Sequence, residues 1–475
     1  MIEKEIYQKL YNGQITREDA LKLIFKIPNV KNKKEELSEV QKGIWIEHQM
    51  LFENYAYNTP GAMIVSSNIN IEILEKSLEY LVQTHSVLRT NFFKEEDNPY
   101  QLVEELKKMV VNQFDVSGLT EEKVIDCIWK EAKRPFNLEE GPLYRISLFD
   151  VSVEKKILVF NFHHIIFDGV SSQIFLKELK QCYYAFAAGN TPELELRKAE
   201  YTDFVKSEKE YLISKQAELD RQYWLNNLSG DIPTLNLPFG KTSSNVPTNK
   251  GQSYSTVVKK ELMKKLKNIK TDNHITMFSI MLAAFNILLY KYSNGKELYT
   301  GTPVLGRNEK RFENVLGCFM NMMVIKNNIS DEENILSFLE RVHENVLKSL
   351  EHSRYPYNSL VKDVKSKRNI SNRQLFQTAF YFQNWLDDDR DEMFLEYLHE
   401  IHQIGEFDLT LEVIETVDDC LLHFKYNPNL LEEDTVRRLA EHYNHILLEI
   451  VSNLNAKISE ISVLDNKERK MMMFP

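Results

Sequence analysis

Residues 156–162, Lys-Ile-Leu-Val-Phe-Asn-Phe, run without a break into His163-His164-Ile165-Ile166-Phe167-Asp168-Gly169. The run is short, apolar and rich in β-branched and aromatic residues, and this predicts a buried strand. The two histidines then fall at the strand's end, where a rigid element can deliver side chains into a cleft. Gly169 permits a tight turn or a close backbone approach, and Ser171 or Ser172 can cap the helix expected over 171–188, with Phe175, Leu179, Cys182 and Phe186 at helical spacing. Histidine suits proton transfer near neutral pH. Adjacent histidines on a loop are more often simply solvated, and Asp168 can be a purely structural carboxylate in a buried ion pair. A metal centre is disfavoured, because His164 and Asp168 stand alone, without a further ligand at a metal-binding rhythm.

Other short blocks share the chain with this one, in a fixed order. Leu37 to Trp45 reads SxxQxxxW from Ser38, Thr84 to Thr90 contains HxxLRT, and Tyr201-Thr202-Asp203-Phe204 reads YxDF. Further on come Gly306-Arg307, Gly317-Cys318-Phe319-Met320-Asn321, His352 to Pro356, and a last block running from Arg368 through Leu375-Phe376-Gln377 to Gln383-Asn384. Together with His163 to Gly169, which fits HHxxxDG, these blocks resemble the condensation domains of nonribosomal peptide synthetases, within the chloramphenicol acetyltransferase-like superfamily. The resemblance runs in order from about residue 37 to the C-terminus.

Composition agrees with that resemblance and narrows the alternatives. A chain of 475 residues exceeds one comfortable core, so two domains are expected. With 43% hydrophobic and 27% charged residues it has the make-up of a soluble globular protein. A formal net charge of −11, with lysines and arginines dispersed, argues against nucleic acid as a partner. Cys127, Cys182, Cys318 and Cys420 lie far apart, which suits a reducing cytoplasm, and Cys318 reads as a packing residue. The most apolar stretch, Met277 to Leu289, is interrupted by Ser279 and Asn286 and reads as a core helix, so no membrane partner is expected. The N-terminus lacks an export signal.

Residues 1–30 pattern as a helical appendage, either a strut or a docking element. Residues 31–205 form an expected N-terminal lobe carrying HHxxxDG. Residues 206–475 form a C-terminal lobe ending in a linker, since 458–470 resembles the segment that leads into an adenylation domain. Strands are expected near 62–66 and 298–303, and helices over 72–84, 277–292 and 435–451. A polar crossing segment is expected over 207–221 and 233–247, where periodicity fades. The acidic run Asp387-Asp388-Asp389 reads as a solvated loop. The fold class is α/β, an α+β sandwich; the resemblance implies two chloramphenicol acetyltransferase-like lobes in a V with a tunnel between them.

The resemblance also implies a chemistry. An amine on one carrier-bound aminoacyl thioester attacks the carbonyl of a second carrier-bound acyl or peptidyl thioester, forming an amide in nonribosomal peptide or hybrid polyketide-peptide synthesis. No cofactor binds the domain directly, since both substrates ride on phosphopantetheine arms of an upstream donor carrier and a downstream acceptor carrier. His164 is the expected catalyst, either as general base or as a group that stabilises the charge-separated intermediate. His163 is its support, pointing oppositely if the strand pleat continues through the pair. Asp168 is expected to pair with an arginine, first Arg307 and second Arg89, and Gly169 to give backbone room and an amide near the oxyanion. Trp45, Tyr201 and Asp203 read as structural.

Two departures bear on these expectations. Met320 and Met322 stand where valine and threonine are more usual in the family block. Methionine is an adaptable filler, so an altered substrate wall follows rather than lost activity. The alternatives are an epimerisation domain, which also keeps HHxxxDG, and a non-catalytic carrier-docking module. The histidine pair disfavours heterocyclising relatives, and the missing DFGWG block disfavours coenzyme-A-dependent plant acyltransferases.

Overall fold

The computed structural model describes residues 34–50, 55–96, 98–106, 108–195, 198–230, 232–235, 237, 251–368, 374–383, 391–402, 407–415, 420–464 and 468. The appendage over 1–30, the acidic run 387–389 and most of 233–247 lie outside them, as do 369–373 of the last family block and most of 465–475 of the linker.

The helices are α1 (Glu39–Met50), α2 (Ile71–Thr84), α3 (Glu121–Ala132), α4 (Gly169–Ala187), α5 (Tyr201–Leu212), α6 (Lys215–Asn227), α7 (Lys260–Asp272), α8 (Met277–Ser293), α9 (Ile335–Glu351), α10 (Tyr357–Arg368) and α11 (Glu433–Ser452). The strands are β1 (Glu35–Glu36), β2 (Asn58–Val65), β3 (Thr90–Glu95), β4 (Asn98–Val103), β5 (Asn112–Asp115), β6 (Tyr144–Asp150), β7 (Lys156–His163), β8 (Gln252–Val258), β9 (Glu297–Val304), β10 (Asn321–Asn328), β11 (Thr378–Gln383), β12 (Phe394–Tyr397), β13 (Leu409–Glu415) and β14 (Cys420–Tyr426). They fold into two compact units of mixed helix and sheet.

The first unit holds the described residues of Met1–Lys209, Glu309–Phe319 and Arg390–His402. Its five-stranded sheet has the order β12-β2-β7-β6-β5, and the unit also holds a three-stranded sheet of order β1-β4-β3. β7 lies at the centre, antiparallel to both β2 and β6. Leu158, Phe160 and Phe162 point into one apolar cluster with Leu78 of α2 and Phe175 and Leu179 of α4, while Ile157 and Val159 join another with Val124 and Ile128 of α3. Burial on both faces explains why this strand reads as a continuous apolar run rather than an alternation.

The second unit holds the described residues of Glu210–Asn308, Met320–Asp389 and Gln403–Pro475. Its six-stranded mixed sheet has the order β10-β9-β11-β13-β14-β8, with β11 parallel to β9 and β13. α8 is buried along nearly all its length, which accounts for the apolar stretch at 277–289. Among the described residues no single helix is long and apolar enough to cross a membrane.

Two expectations change. A single break at 205/206 gives way to a chain that returns twice to the first unit, because β12 pairs with β2 and residues 312–319 bury Phe312, Leu316 and Phe319 in that unit's core. Residues 207–212 and 215–221 are helical rather than a polar crossing. Their helices are anchored by few large side chains and a polar network: Trp224 is buried, and the fully buried Asp220 carboxylate accepts from Tyr211 Oη (2.6 Å) and Gln216 Nε2 (2.9 Å) and meets His352 Nδ1 at 2.8 Å. Within 207–221 only Tyr211 and Ala217 join the buried apolar clusters, so the stripe that continues to Trp224, Leu225 and Leu228 is thin there.

Candidate active site

β7 ends at His163, and the chain turns at once into a 3-10 turn, His164–Ile166. The pleat therefore does not carry through the pair. Each histidine is placed by its own backbone bond: the His163 amide donates to the Leu143 carbonyl (2.9 Å) and the His164 amide to that of Tyr57 (2.8 Å).

His163 is fully buried. Its Nδ1 accepts the Ile165 amide at 3.2 Å, which places the ring proton on Nε2. The rings of His48, Tyr57 and Phe136 surround it at centroid distances of 5.2, 6.1 and 6.0 Å. Burial, then the neighbouring His48, His164 and Arg145, holds this imidazole neutral far below the usual histidine range. Its bond is to the backbone of the turn that carries His164.

His164 is also buried and neutral at pH 7. Burial lowers its pKa, while the carbonyls of His164 and Phe167 and the Asp168 carboxylate work in the opposite direction. Its Nδ1 lies 3.7 Å from the Cys318 sulfur. A neutral imidazole with one nitrogen engaged can accept a proton on the other.

Asp168 caps α4. Oδ1 accepts the Ser171 amide (2.8 Å) and hydroxyl (2.7 Å), and Oδ2 accepts the Phe319 amide at 3.1 Å. The helix N-terminus adds a favourable dipole. Ser171 Oγ in turn accepts the Gly317 amide at 3.0 Å. Gly169 opens the helix and is exposed, and its first-turn amide has no intrahelical acceptor, as a donor for a developing oxyanion requires. Arg89, on a 3-10 turn over Ser86–Arg89, donates to the carbonyls of Val82 (3.2 Å) and Glu104 (2.8 Å) and so locks that turn to the end of β4. Arg307 belongs to the second unit.

The blocks noted in the sequence meet around the turn that carries His164. Tyr201 donates to the Cys318 carbonyl at 2.6 Å, so its oxygen receives the Ser38 hydroxyl at 2.9 Å. Gln41 Nε2 donates to the Ile165 carbonyl at 3.1 Å, and its Oε1 accepts the Ser38 amide (3.1 Å) and Gln101 Nε2 (3.3 Å). Its place in the SxxQxxxW block is the one sign of this role that the sequence carries. Being fully buried, Gln41 is the residue that ties the opening block to the catalytic-looking turn.

Gly317 meets Tyr201 so closely that an added Cβ would lie 2.0 Å from the ring's Cδ2. Gly317→Ala should therefore destabilise the protein by about 1–3 kcal/mol through overpacking. Chemical denaturation checks this, and unchanged stability would mean that Tyr201 moves aside at no cost.

Neutral buried histidines also set a pH dependence. Their folded pKa values are depressed, so below about pH 6.5 the unfolded chain binds protons that the folded one refuses, and stability falls as pH drops. Each such proton contributes a slope of at most about 1.4 kcal/mol per pH unit. Stability measured from pH 7 to 5 should fall, and His163→Asn, which keeps an acceptor near Nδ1, should flatten that slope. An unaltered slope would remove His163 as its source.

Comparison with known proteins places the chain in a family. Residues 31–473 match the family model described as Condensation domain. Polyketide synthase PksN of Bacillus subtilis (strain 168) is 30% identical over 93% of this chain and 8% of its own length. Gramicidin S synthase 2 of Brevibacillus brevis is 31% identical over 92% of this chain and 10% of its own. The chain thus spans a small fraction of these relatives. The first condensation domain of the calcium-dependent antibiotic synthetase, solved with a substrate analogue, superposes with a TM-score of 0.78 at 18% identity, covering 91% of this chain and 100% of that one. The four-domain nonribosomal peptide synthetase holo-AB3403, bound to AMP and glycine, gives 0.80 at 22% identity, covering 92% of this chain and 34% of that one. At these identities the structural likeness is one of fold.

Proposed function

Because the chain belongs to the condensation-domain family, we propose that it is an acyltransferase that joins a carrier-bound acyl or peptidyl thioester to the amine of a carrier-bound aminoacyl thioester. The observation that carries this reading is the convergence of four separated sequence blocks, through Gln41, Asp168, Tyr201 and Gly317 to Phe319, on the turn that holds a neutral, buried His164.

Thioesters are already activated, so the reaction asks for alignment and one proton transfer. His164 takes the proton from the attacking nitrogen as the amide C–N bond forms, or holds it by hydrogen bonding until the thiolate leaves. The displaced thiolate ends protonated on its carrier arm, so atoms and charge balance without a bound cofactor. His163 and Asp168 support the turn. Gly169 offers its amide to the carbonyl oxygen as that oxygen becomes negative. The partners proposed are a donor carrier and an acceptor carrier bearing phosphopantetheine, with an adenylation domain following in the native protein and a cytoplasmic setting.

A single-turnover assay with two loaded carrier proteins, read by mass spectrometry, tests the proposal. Appearance of the condensed product on the acceptor carrier supports it. Inversion of an aminoacyl stereocentre without a new amide would support the epimerisation alternative, and carrier binding without either reaction would support a docking module.

A further inference from the structure

We propose that the interior behind the His164 turn binds a structural water, held by His163 Nε2, Asn58 Oδ1 and Asn161 Oδ1, and that this water is a positioning group for the turn. Its occupancy rests on the geometry of the first unit; its kinetic consequence rests on the condensation chemistry proposed above.

The three side chains share one face of the five-stranded sheet. Asn161 and His163 stand two residues apart on β7, and Asn58 of β2 lies directly opposite His163 in the antiparallel register. The end of α3 then orients both carboxamides. The last carbonyls of a helix have no intrahelical donor. Here the Ala132 carbonyl accepts Asn58 Nδ2 at 2.7 Å and Asn161 Nδ2 at 2.8 Å, and the Arg134 carbonyl accepts Asn58 Nδ2 at 3.0 Å. Sharing one acceptor brings the two carboxamides together, and turning either one over would set its oxygen against that carbonyl. Asn58 Oδ1 and Asn161 Oδ1 are thus left buried as acceptors, with no donor among the described residues. His163 is fixed in the same way. Its Nδ1 takes the Ile165 amide at 3.2 Å, so Nε2 bears the proton, and that N–H is buried without an acceptor among the described residues.

One N–H that needs an acceptor and two oxygens that need donors are the complement of a single water, which accepts from the imidazole and gives one hydrogen to each carboxamide. Pairing His163 directly with one carboxamide would still leave the other oxygen unmet, at the full cost of a buried polar group. The Ile165 amide keeps the proton off Nδ1, and the water satisfies the N–H that this forces on the far side of the ring. The 3-10 turn His164–Ile166 is thereby tied, through His163 and the two asparagines, to the end of α3.

A crystal structure of the whole chain in which internal waters are ordered should show one water about 2.7–3.2 Å from all three atoms. A direct protein partner on His163 Nε2, or no water within that reach, would overturn the proposal. Asn161→Leu is the companion variant: it removes one acceptor and fills the space with carbon, while the Ala132 carbonyl keeps Asn58. With 15N-histidine labelling, the His163 Nε2–H proton, assigned by its loss in His163→Asn, should exchange with solvent on the order of 5-fold faster in Asn161→Leu, the scale of one lost hydrogen bond. The kcat for amide formation should fall on the order of 5-fold with KM for the loaded carriers unchanged, because a loosened turn misplaces His164. Asn161→Ala, which leaves room for a second water, should recover part of both effects. Unchanged exchange would remove the water as the partner of Nε2, and unchanged kcat with faster exchange would remove its positioning role. The density and the spectra need no turnover, so an inactive wild type would count against condensation while leaving the water site readable. Circular dichroism of each variant separates misfolding from loss of positioning.

Discussion

His164→Ala should lower the rate of amide formation by about 10²–10⁴-fold, the range general acid–base catalysis usually supplies. At 1.36 kcal/mol per decade, that is about 3–5 kcal/mol of transition-state stabilisation. On the proposed chemistry the loss belongs in kcat, because this side chain is buried at the end of β7. Single-turnover product formation, with carrier affinity measured in parallel, checks the expectation. A drop smaller than about 10-fold would mean that the amine arrives neutral and needs only alignment, which leaves His164 an electrostatic part. The pH profile separates the roles further. Burial lowers the His164 pKa, so a base mechanism should keep its activity somewhat below pH 6.5 before the acid limb falls. A purely positional ring would show a limb set by the amine instead.

The strand, turn and helix around residue 164 are legible in the sequence because each part obeys a local rule. β7 is buried on both faces and so reads as an apolar run, and Asp168 stands at an N-cap with its donor Ser171 three residues on. The long helices α8 and α11 are legible for the same reason. Long-range relations are not. Nothing local in residues 312–319 says that Phe312 and Phe319 complete the core of the first unit, or that Phe394 lies in the same cluster. The helices over 207–221 escape a reading by periodicity because Asp220 interrupts the buried face between Ala217 and Trp224, and its partner His352 lies far off in the chain. The pleat prediction for His163 and His164 fails at the strand's last residue. There the His163 ring bonds the Ile165 amide and starts a turn, a choice of tertiary context rather than propensity.

Asp168→Ala should destabilise the first unit by about 1.5–5 kcal/mol and disorder the segment that presents Cys318. Removing the carboxylate deletes the N-cap of α4, a loss of about 0.5–2 kcal/mol. It also strands the Phe319 amide, whose acceptor at 3.1 Å is Oδ2; an unmet buried donor costs about 1–3 kcal/mol more. The two costs act at one residue and on two chain segments, α4 and the Gly317-to-Phe319 stretch, so activity should fall even where the protein remains folded. Asp168→Asn separates charge from geometry. Its Oδ1 can still accept the Ser171 amide, whereas its amide nitrogen would face the Phe319 N–H as donor against donor. Helix capping should therefore survive in Asp168→Asn while the 317–319 segment loosens, and hydrogen exchange at the Ser171 and Phe319 amides reads the two ends independently. Faster exchange at Phe319 alone is the expected pattern. Equal protection at both amides would show that the segment is held by Tyr201 and Ser171 without the carboxylate, and Asp168 would then be a helix cap and nothing more.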